Sequence, residues 1–381
     1  MRDLAHIAVS EPSIGQAEID AVNDALRSGW ISSAGPYLTQ FESAWAAYCD
    51  RAHGVSVTSG TTALELAVEA LDLKPGDEVI MPTFTIISCA LAVLRAGATP
   101  VLVDADPMTW CMDGAQVATR ITSRTRAIMP VHIYGHPCEM DPLLDLAERH
   151  DVAIVEDAAE AHGAEYLSRR SGTPTWRRCG SFGISSTFSF YANKLITTGE
   201  GGMILTDDDA LAARFRSMRN LAFRADRRFY HTEIGHQYRM TNVQAALGVP
   251  QVRRMSELVK RKRWIGEAYR EGLADLNRLE LPTEEPWARN IYWMYGIVLR
   301  DDATIDAKEL ADRLATRGVE TRPFFLGMHE QPALLDRGLF AGEHYPVSER
   351  LSQRGLYLPS GLGLTEIQLS RVCDAVQEIL R

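Results

Sequence analysis

The sequence predicts an α/β fold with a mostly parallel central sheet flanked by helices, plus a smaller C-terminal α+β domain. Two observations predict it. Up to about residue 250 short apolar runs alternate with segments of helical periodicity, and beyond that point long helices surround one strong strand-like run. Length agrees, since 381 residues with 46% hydrophobic content can bury a large core and divide into two domains. The expected division is a large domain with an N-terminal arm over 1–250 and a small domain over 251–381.

In chain order, 16–28 reads as the first helix and GWISSAGPYL as a loop after it. From Gly60, TTALELAVEAL holds good helix formers and ends near Pro75 and Gly76, where a turn must follow. EVIMP, PVLVDAD, AIMPVHIYG, VAIVEDAA, STFSFYA and GGMILTDD read as strands, most of them separated by helical stretches such as SCALAVLRAG and DPLLDLAERHD. The segment 166–181 is longer than a short hairpin and reads as a surface elaboration. Past the change of character, 252–273 reads as a long helix, NIYWMYGIVL as a strand, KELADRLATRG as a helix and GLTEIQLSRVCDAVQEIL as a closing amphipathic helix.

Composition excludes several classes of function. A net charge of −10 argues against nucleic acid and anionic membranes, which require a concentrated basic surface. The one basic stretch, 253–263, reads as a solvated helix face. Six cysteines without a C-x-x-C pair give neither a zinc ribbon nor a redox motif, so reduced thiols are expected. His132 and His136 flank Gly135 off any helix, and no metal site is expected there. MRDLAHIAVSEP has no leader-like apolar run, and no segment approaches the ~20 apolar residues of a membrane span, so a soluble cytoplasmic protein is expected.

Three features carry chemistry. In SSTFSFYANKLITTGEGG a strand delivers Lys194 beside a Gly-rich turn, which suits a lysine that forms a Schiff base with an aldehyde cofactor; a solvated surface charge is the ordinary alternative. In VAIVEDAAEAHGA an apolar strand ends in Glu156 and Asp157, so a carboxylate faces the crevice at the strand's carboxyl end, unless Asp157 is simply a helix cap. In VSVTSGTTALELAVEAL, Ser-Gly-Thr-Thr opens a helix whose amides and dipole attract a phosphate, or it is only a capped helix. A phosphate cradle, an acid at one strand end and a lysine at another, in that order along one α/β domain, are together the parts of a pyridoxal phosphate site.

The chain resembles the DegT/StrS-type sugar-nucleotide aminotransferases, within fold type I of the pyridoxal phosphate enzymes. The resemblance rests on GWISSAGPYLTQFE, TSGTTALELA, GDEVIMPTFTIISCA, HIYGHP, VEDAAEAHGA, TFSFYANKLITTGEGG and YRMTNVQAALG, in order and nearly end to end. It implies that pyridoxal 5′-phosphate is the cofactor, that Lys194 is the Schiff-base lysine and that Asp157 pairs with the pyridine nitrogen. Gly60, Thr61 and Ser189 are implied to hold the phosphate. Glu160 stands near the phenolic oxygen where the family usually has Gln or His, Ile86 where many members place an aromatic over the ring, and Gln237 where an Asn reaches the phosphate from a second subunit.

PTFTIISC, WCMD, YRMTN, IYWMYGIVL and ETRPFFLGMH resemble the GDP-perosamine synthases, which implies amination of C4 of GDP-4-keto-6-deoxymannose with L-glutamate as donor. Trp293, Phe324 and His329 are the implied substrate contacts, with Trp293 and Phe324 equally readable as core. The resemblance also implies a homodimer with shared active sites. The alternatives are amination of a dTDP- or UDP-linked keto sugar or a keto-cyclitol, a sugar dehydratase, and a binding protein without turnover. The dehydratases of concern replace the lysine by His, and a binding protein more often loses the lysine or the acid.

Overall fold

Runs of β-branched and apolar residues, buried almost throughout, form the parallel heart of a seven-stranded sheet. The computed structural model describes residues 6–224 and 226–381, so the first five residues of the segment read for a leader lie outside it. The strands lie in the order His53–Val57, Gly202–Thr206, Ser185–Ser189, Ala153–Asp157, Thr125–Ile128, Glu78–Pro82, Thr99–Val103. The last five pair parallel, and Gly202–Thr206 runs antiparallel to both its neighbours. The α/β expectation holds, with helices Gly60–Glu69, Ser88–Arg95 and Met140–His150 among those packed on the sheet.

Ser185–Ser189 lies next to Ala153–Asp157, and that pairing sets their carboxyl ends side by side. This is where open parallel sheets bind ligands. A buried network fixes that edge. His132 Nδ1 accepts Cys138 N–H at 2.9 Å, so Nε2 carries the proton and donates it to Glu156 Oε1 at 2.8 Å. Glu156 also takes the amides of Gly180 and Phe182 at 2.5 and 2.8 Å. The ligand atoms of His132, Glu156 and Cys179 lie within 4.8 Å of one another, but the histidine's lone pair is used and burial holds the Cys179 thiol well above its usual value, so it stays protonated. The cluster braces the strand end.

Several elements depart from the expected boundaries. The helix Pro36–Tyr48 begins within the stretch read as a loop, with Pro36 at its first position, where the missing N–H costs nothing. AIMPVHIYG leaves the sheet after Ile128 and turns through a 3-10 helix at Ile133–Gly135. The long helix read over 252–273 spans Met255–Leu273, and residues 252 and 253 end a preceding helix, Asn242–Arg253. Lys262, in the stretch read as solvated, is 4% exposed; its Nζ donates to the Ser360 carbonyl, and burial pulls it down to about 7. NIYWMYGIVL is a strand only over Tyr295–Leu299, because Tyr292 takes a left-handed turn at φ 48°. The segment 166–181 is a hairpin of Glu165–Ser168 and Thr175–Arg178, extended by Ala288–Arg289.

A second core gathers Ile265, Tyr269, Ile297, Leu310, Leu356 and Val372 under a four-stranded antiparallel sheet. The N-terminal arm, grouped above with residues 1–250, packs Ile7 into this core and bridges Val319. Ile7→Ala is expected to lower stability by about 2–4 kcal/mol, as for other fully buried aliphatics. Urea unfolding checks this, and a loss within experimental scatter would mean that the arm merely lies on the surface. Among the described residues no helix is long and apolar enough to cross a membrane. All six cysteines are free and buried.

Candidate active site

A cavity of about 360 Å³ opens at the carboxyl ends of the parallel strands. Eight of the residues singled out in the sequence line it, namely Gly60, Thr61, Ile86, Asp157, Glu160, Ser189, Lys194 and Trp293. Ser59, Ser88, Tyr191, Glu200, Phe325 and Tyr357 line it as well.

One end is built for an anion. Ser59 caps the helix Gly60–Glu69, accepting Thr62 N–H, and the first-turn amides of a helix have no intrahelical acceptor. Thr61 Oγ1 lies 2.8 Å from Ser88 Oγ, which adds hydroxyls to those amides. The helix start must come close to two strands. A Cβ on Gly60 would lie 2.7 Å from Ser189 Cβ, and one on Gly202 2.1 Å from the Ser59 carbonyl. Glycine at both places is therefore a steric requirement.

Asp157 stands at the end of its strand, 2% exposed. Its Oδ1 accepts Ala159 N–H at 3.0 Å and its Oδ2 the Cys89 thiol at 3.3 Å. Burial raises its carboxyl, against the pull of those two donors and of Lys194 and His132. Glu160, one turn on, is also buried; its Oε2 accepts Tyr134 N–H at 2.7 Å. Burial pushes it up to about 7, with Lys194 and the Tyr134 amide opposing and Asp157 adding to the rise.

Lys194 follows the strand Ser185–Ser189 on a short turn whose amide bonds back to the Tyr191 carbonyl at 2.9 Å. Its Nζ lies 3.8 Å from Glu160 Oε1 and 3.5 Å from the centroid of the Trp293 ring. Burial lowers its pKa, and Glu160 and Asp157 hold it up. The Trp293 indole N–H donates to the Asn193 carbonyl at 2.9 Å, tying the chain just before the strand Tyr295–Leu299 to the residue beside the lysine. The result is a desolvated amine, the form of lysine that attacks carbonyls.

Three of the sequence-predicted residues lie elsewhere. Phe324 points into the core between Trp110 and Tyr134, and its neighbour Phe325 faces the cavity. His329 is buried, with Nδ1 2.8 Å from Thr83 Oγ1 and Nε2 3.2 Å from Glu349 Oε1, so both ring nitrogens brace the fold. Gln237 sits outside the cavity of its own chain and accepts the Arg239 N–H groups. Trp176, Arg177 and Arg178 pack on Arg289, Phe182 and Tyr48. Ser88 and Tyr357 carried no signal in the sequence, although Ser88 sits within PTFTIISC.

Comparison with known proteins bears on this site. The profile of the DegT/DnrJ/EryC1/StrS aminotransferase family matches residues 12–377. The GDP-perosamine synthase of Caulobacter vibrioides is 43% identical over 382 residues, covering 100% of both chains. The dTDP-3-amino-3,4,6-trideoxy-alpha-D-glucose transaminase of Streptomyces venezuelae is 38% identical, covering 95% of this chain and 92% of that protein. The crystal structure of S. venezuelae DesV in complex with a ketimine intermediate superposes with a TM-score of 0.86 at 36% identity, over 96% of this chain and 94% of that one.

The cofactor of such enzymes is pyridoxal 5′-phosphate. The residues present fit it, for one cavity holds a glycine-dependent anion cradle, a buried carboxyl and a desolvated amine. The chain is an aminotransferase of the DegT/DnrJ/EryC1/StrS family.

Proposed function

We propose that the protein transfers the amino group of L-glutamate to C4 of GDP-4-keto-6-deoxymannose, as a GDP-perosamine synthase does. The observation that carries this reading is 43% identity with such a synthase over the whole of both chains. Pyridoxal phosphate supplies the electron sink that lets one substrate surrender an amino group and another receive it. Gly60, Thr61 and Ser189 would hold the phosphate, and Ile86 would offer the ring an aliphatic face. Asp157 would keep the ring nitrogen protonated, its carboxylate opposed by burial and favoured by Ala159 N–H, the Cys89 thiol, Lys194 and His132. Lys194 Nζ is the covalent anchor and, once released, the base that takes the donor's α-proton and returns it. Trp293 covers that amine and excludes water from it. Overall, glutamate and keto sugar become 2-oxoglutarate and amino sugar.

Two copies sharing their sites is part of the same reading. Lys194 is the sole cation among the lining residues, while the cavity also holds Asp157, Glu160 and Glu200. A phosphate, a dicarboxylate and a nucleotide diphosphate need more positive charge than that. Gln237 is the residue the resemblance assigns to a second copy, and Arg227, Arg228 and Phe229, the last 82% exposed, stand exposed shortly before it. Residues 251–381 act as the small domain, and a cytoplasmic setting keeps the six thiols reduced.

The test is turnover with L-glutamate and GDP-4-keto-6-deoxymannose, read by mass spectrometry as replacement of the keto oxygen by an amine. The expected preference over dTDP- and UDP-linked keto sugars is at least tenfold, about what one set of base contacts supplies. The 38% identity with the dTDP-linked transaminase supports a second reading, a dTDP-linked 3-keto sugar, and reversal of that preference would establish it.

A further inference from the structure

Among the groups that line the cavity, Lys194 sets one amine against two buried carboxyls, Asp157 and Glu160. Asp157 has both oxygens engaged, by Ala159 N–H and by the Cys89 thiol. Glu160 has only Oε2 engaged by a backbone amide, and its Oε1 is turned to Lys194 Nζ at 3.8 Å. The site contains a carboxyl poised against the amine without a fixed hydrogen bond between them. The titratable groups facing Glu160 are Lys194 after its strand, Asp157 on the neighbouring strand, Tyr134 on the 3-10 turn, Tyr357 on the small sheet, and the thiols of Cys89 and Cys111.

The function proposed above needs the free Nζ in two charge states, cationic while the amine stands released and idle, and neutral when it attacks or accepts a proton. A neutral amine leaves Glu160 and Asp157 as two buried carboxyls without a countercharge, a state that favours protonation of one of them. We propose that Glu160 sets the charge state of Lys194, holding Nζ as an ammonium while the amine is idle and taking that proton on Oε1 when the amine must be neutral. The proposal rests on reading Lys194 as the reactive amine. The step balances, since one N–H bond breaks with its electron pair left on nitrogen, one O–H bond forms, and the charge of the pair stays zero. Burial brings the two proton affinities together from opposite sides, raising Glu160 to about 7 and lowering Lys194. Glu160 acts through Lys194 and is a positioning residue.

The competing explanation is structural, because Glu160 also anchors the left-handed Tyr134 turn through its amide. Glu160→Gln separates the two, since glutamine still accepts that N–H but carries no charge. The experiment is the pH profile of Lys194 acetylation by acetic anhydride in cofactor-free protein, read by mass spectrometry. An anionic neighbour stabilises the ammonium, so its removal lowers the midpoint. Glu160→Gln is expected to lower it by about one pH unit or more, tenfold in proton affinity, and Glu160→Asp by less. In the loaded enzyme the pH midpoint of the visible absorbance band should follow the same order. A Glu160→Gln midpoint equal to that of the wild type overturns the proposal. Should that variant fail to fold, infrared spectra decide between the two. Lys194→Ala is expected to gain one protonated-carboxyl band at neutral pH relative to wild type, and an unchanged band overturns the proposal. A wild type that binds no pyridoxal phosphate would sink the cofactor reading, while the acetylation profile, measured without cofactor, would still decide for or against the proton exchange between Glu160 and Lys194.

Discussion

Lys194→Ala is expected to lose at least about 10³-fold in kcat, together with the visible absorbance of the covalently attached cofactor. Both losses come from one atom. In the proposed function Nζ is at once the anchor and the proton carrier, and no other lysine lines the cavity. The fold should survive, because the side chain's named contacts are a 3.8 Å ion pair and the face of Trp293. With the amine gone Glu160 takes up a proton, so little buried charge is left uncompensated. Absorbance after incubation with pyridoxal phosphate and single-turnover assays with glutamate check it. Undiminished turnover by the alanine variant would remove Lys194 from the chemistry.

The second large effect is expected at Asp157. Asp157→Asn keeps the shape of the side chain and an oxygen for Ala159 N–H, but removes the charge that, in the proposed function, would hold a proton on the cofactor's ring nitrogen. A drop of about 10²–10³-fold in kcat is expected, with KM for the sugar nearly unchanged, since the loss falls on charge developed during the reaction. The variant should also melt no lower than the wild type, because burial already disfavours the Asp157 carboxylate. A reduced melting temperature with normal kcat would make Asp157 a structural brace instead.

What the sequence disclosed follows from how each residue is placed. Lys194, Asp157 and Gly60 sit where a strand ends or a helix begins, and such places are announced by an apolar run meeting glycine, acid or hydroxyl residues. Their convergence follows from adjacency in the sheet, which the β/α alternation made expected. The choice between Phe324 and Phe325 was not legible, since neighbouring side chains of an extended segment point to opposite sides and two aromatics in a row conceal which side faces in. His329 looked like a donor to substrate, but its partner Thr83 lies 246 residues away, beyond any local pattern. Tyr357 reaches the cavity from the small sheet by tertiary packing alone. The helix start at Pro36 was legible, and the preceding glycines masked it.

The indole of Trp293, two residues before the strand Tyr295–Leu299, joins that stretch of chain to the peptide beside Lys194 and roofs the amine with its ring. The reactivity of that lysine is therefore leased from the C-terminal third of the chain. If the chain around Trp293 loosens, water reaches Nζ and an ordinary solvated lysine remains. Inactivation on warming should then run ahead of global unfolding, with amide exchange rising first around residue 293 while the parallel strands stay protected.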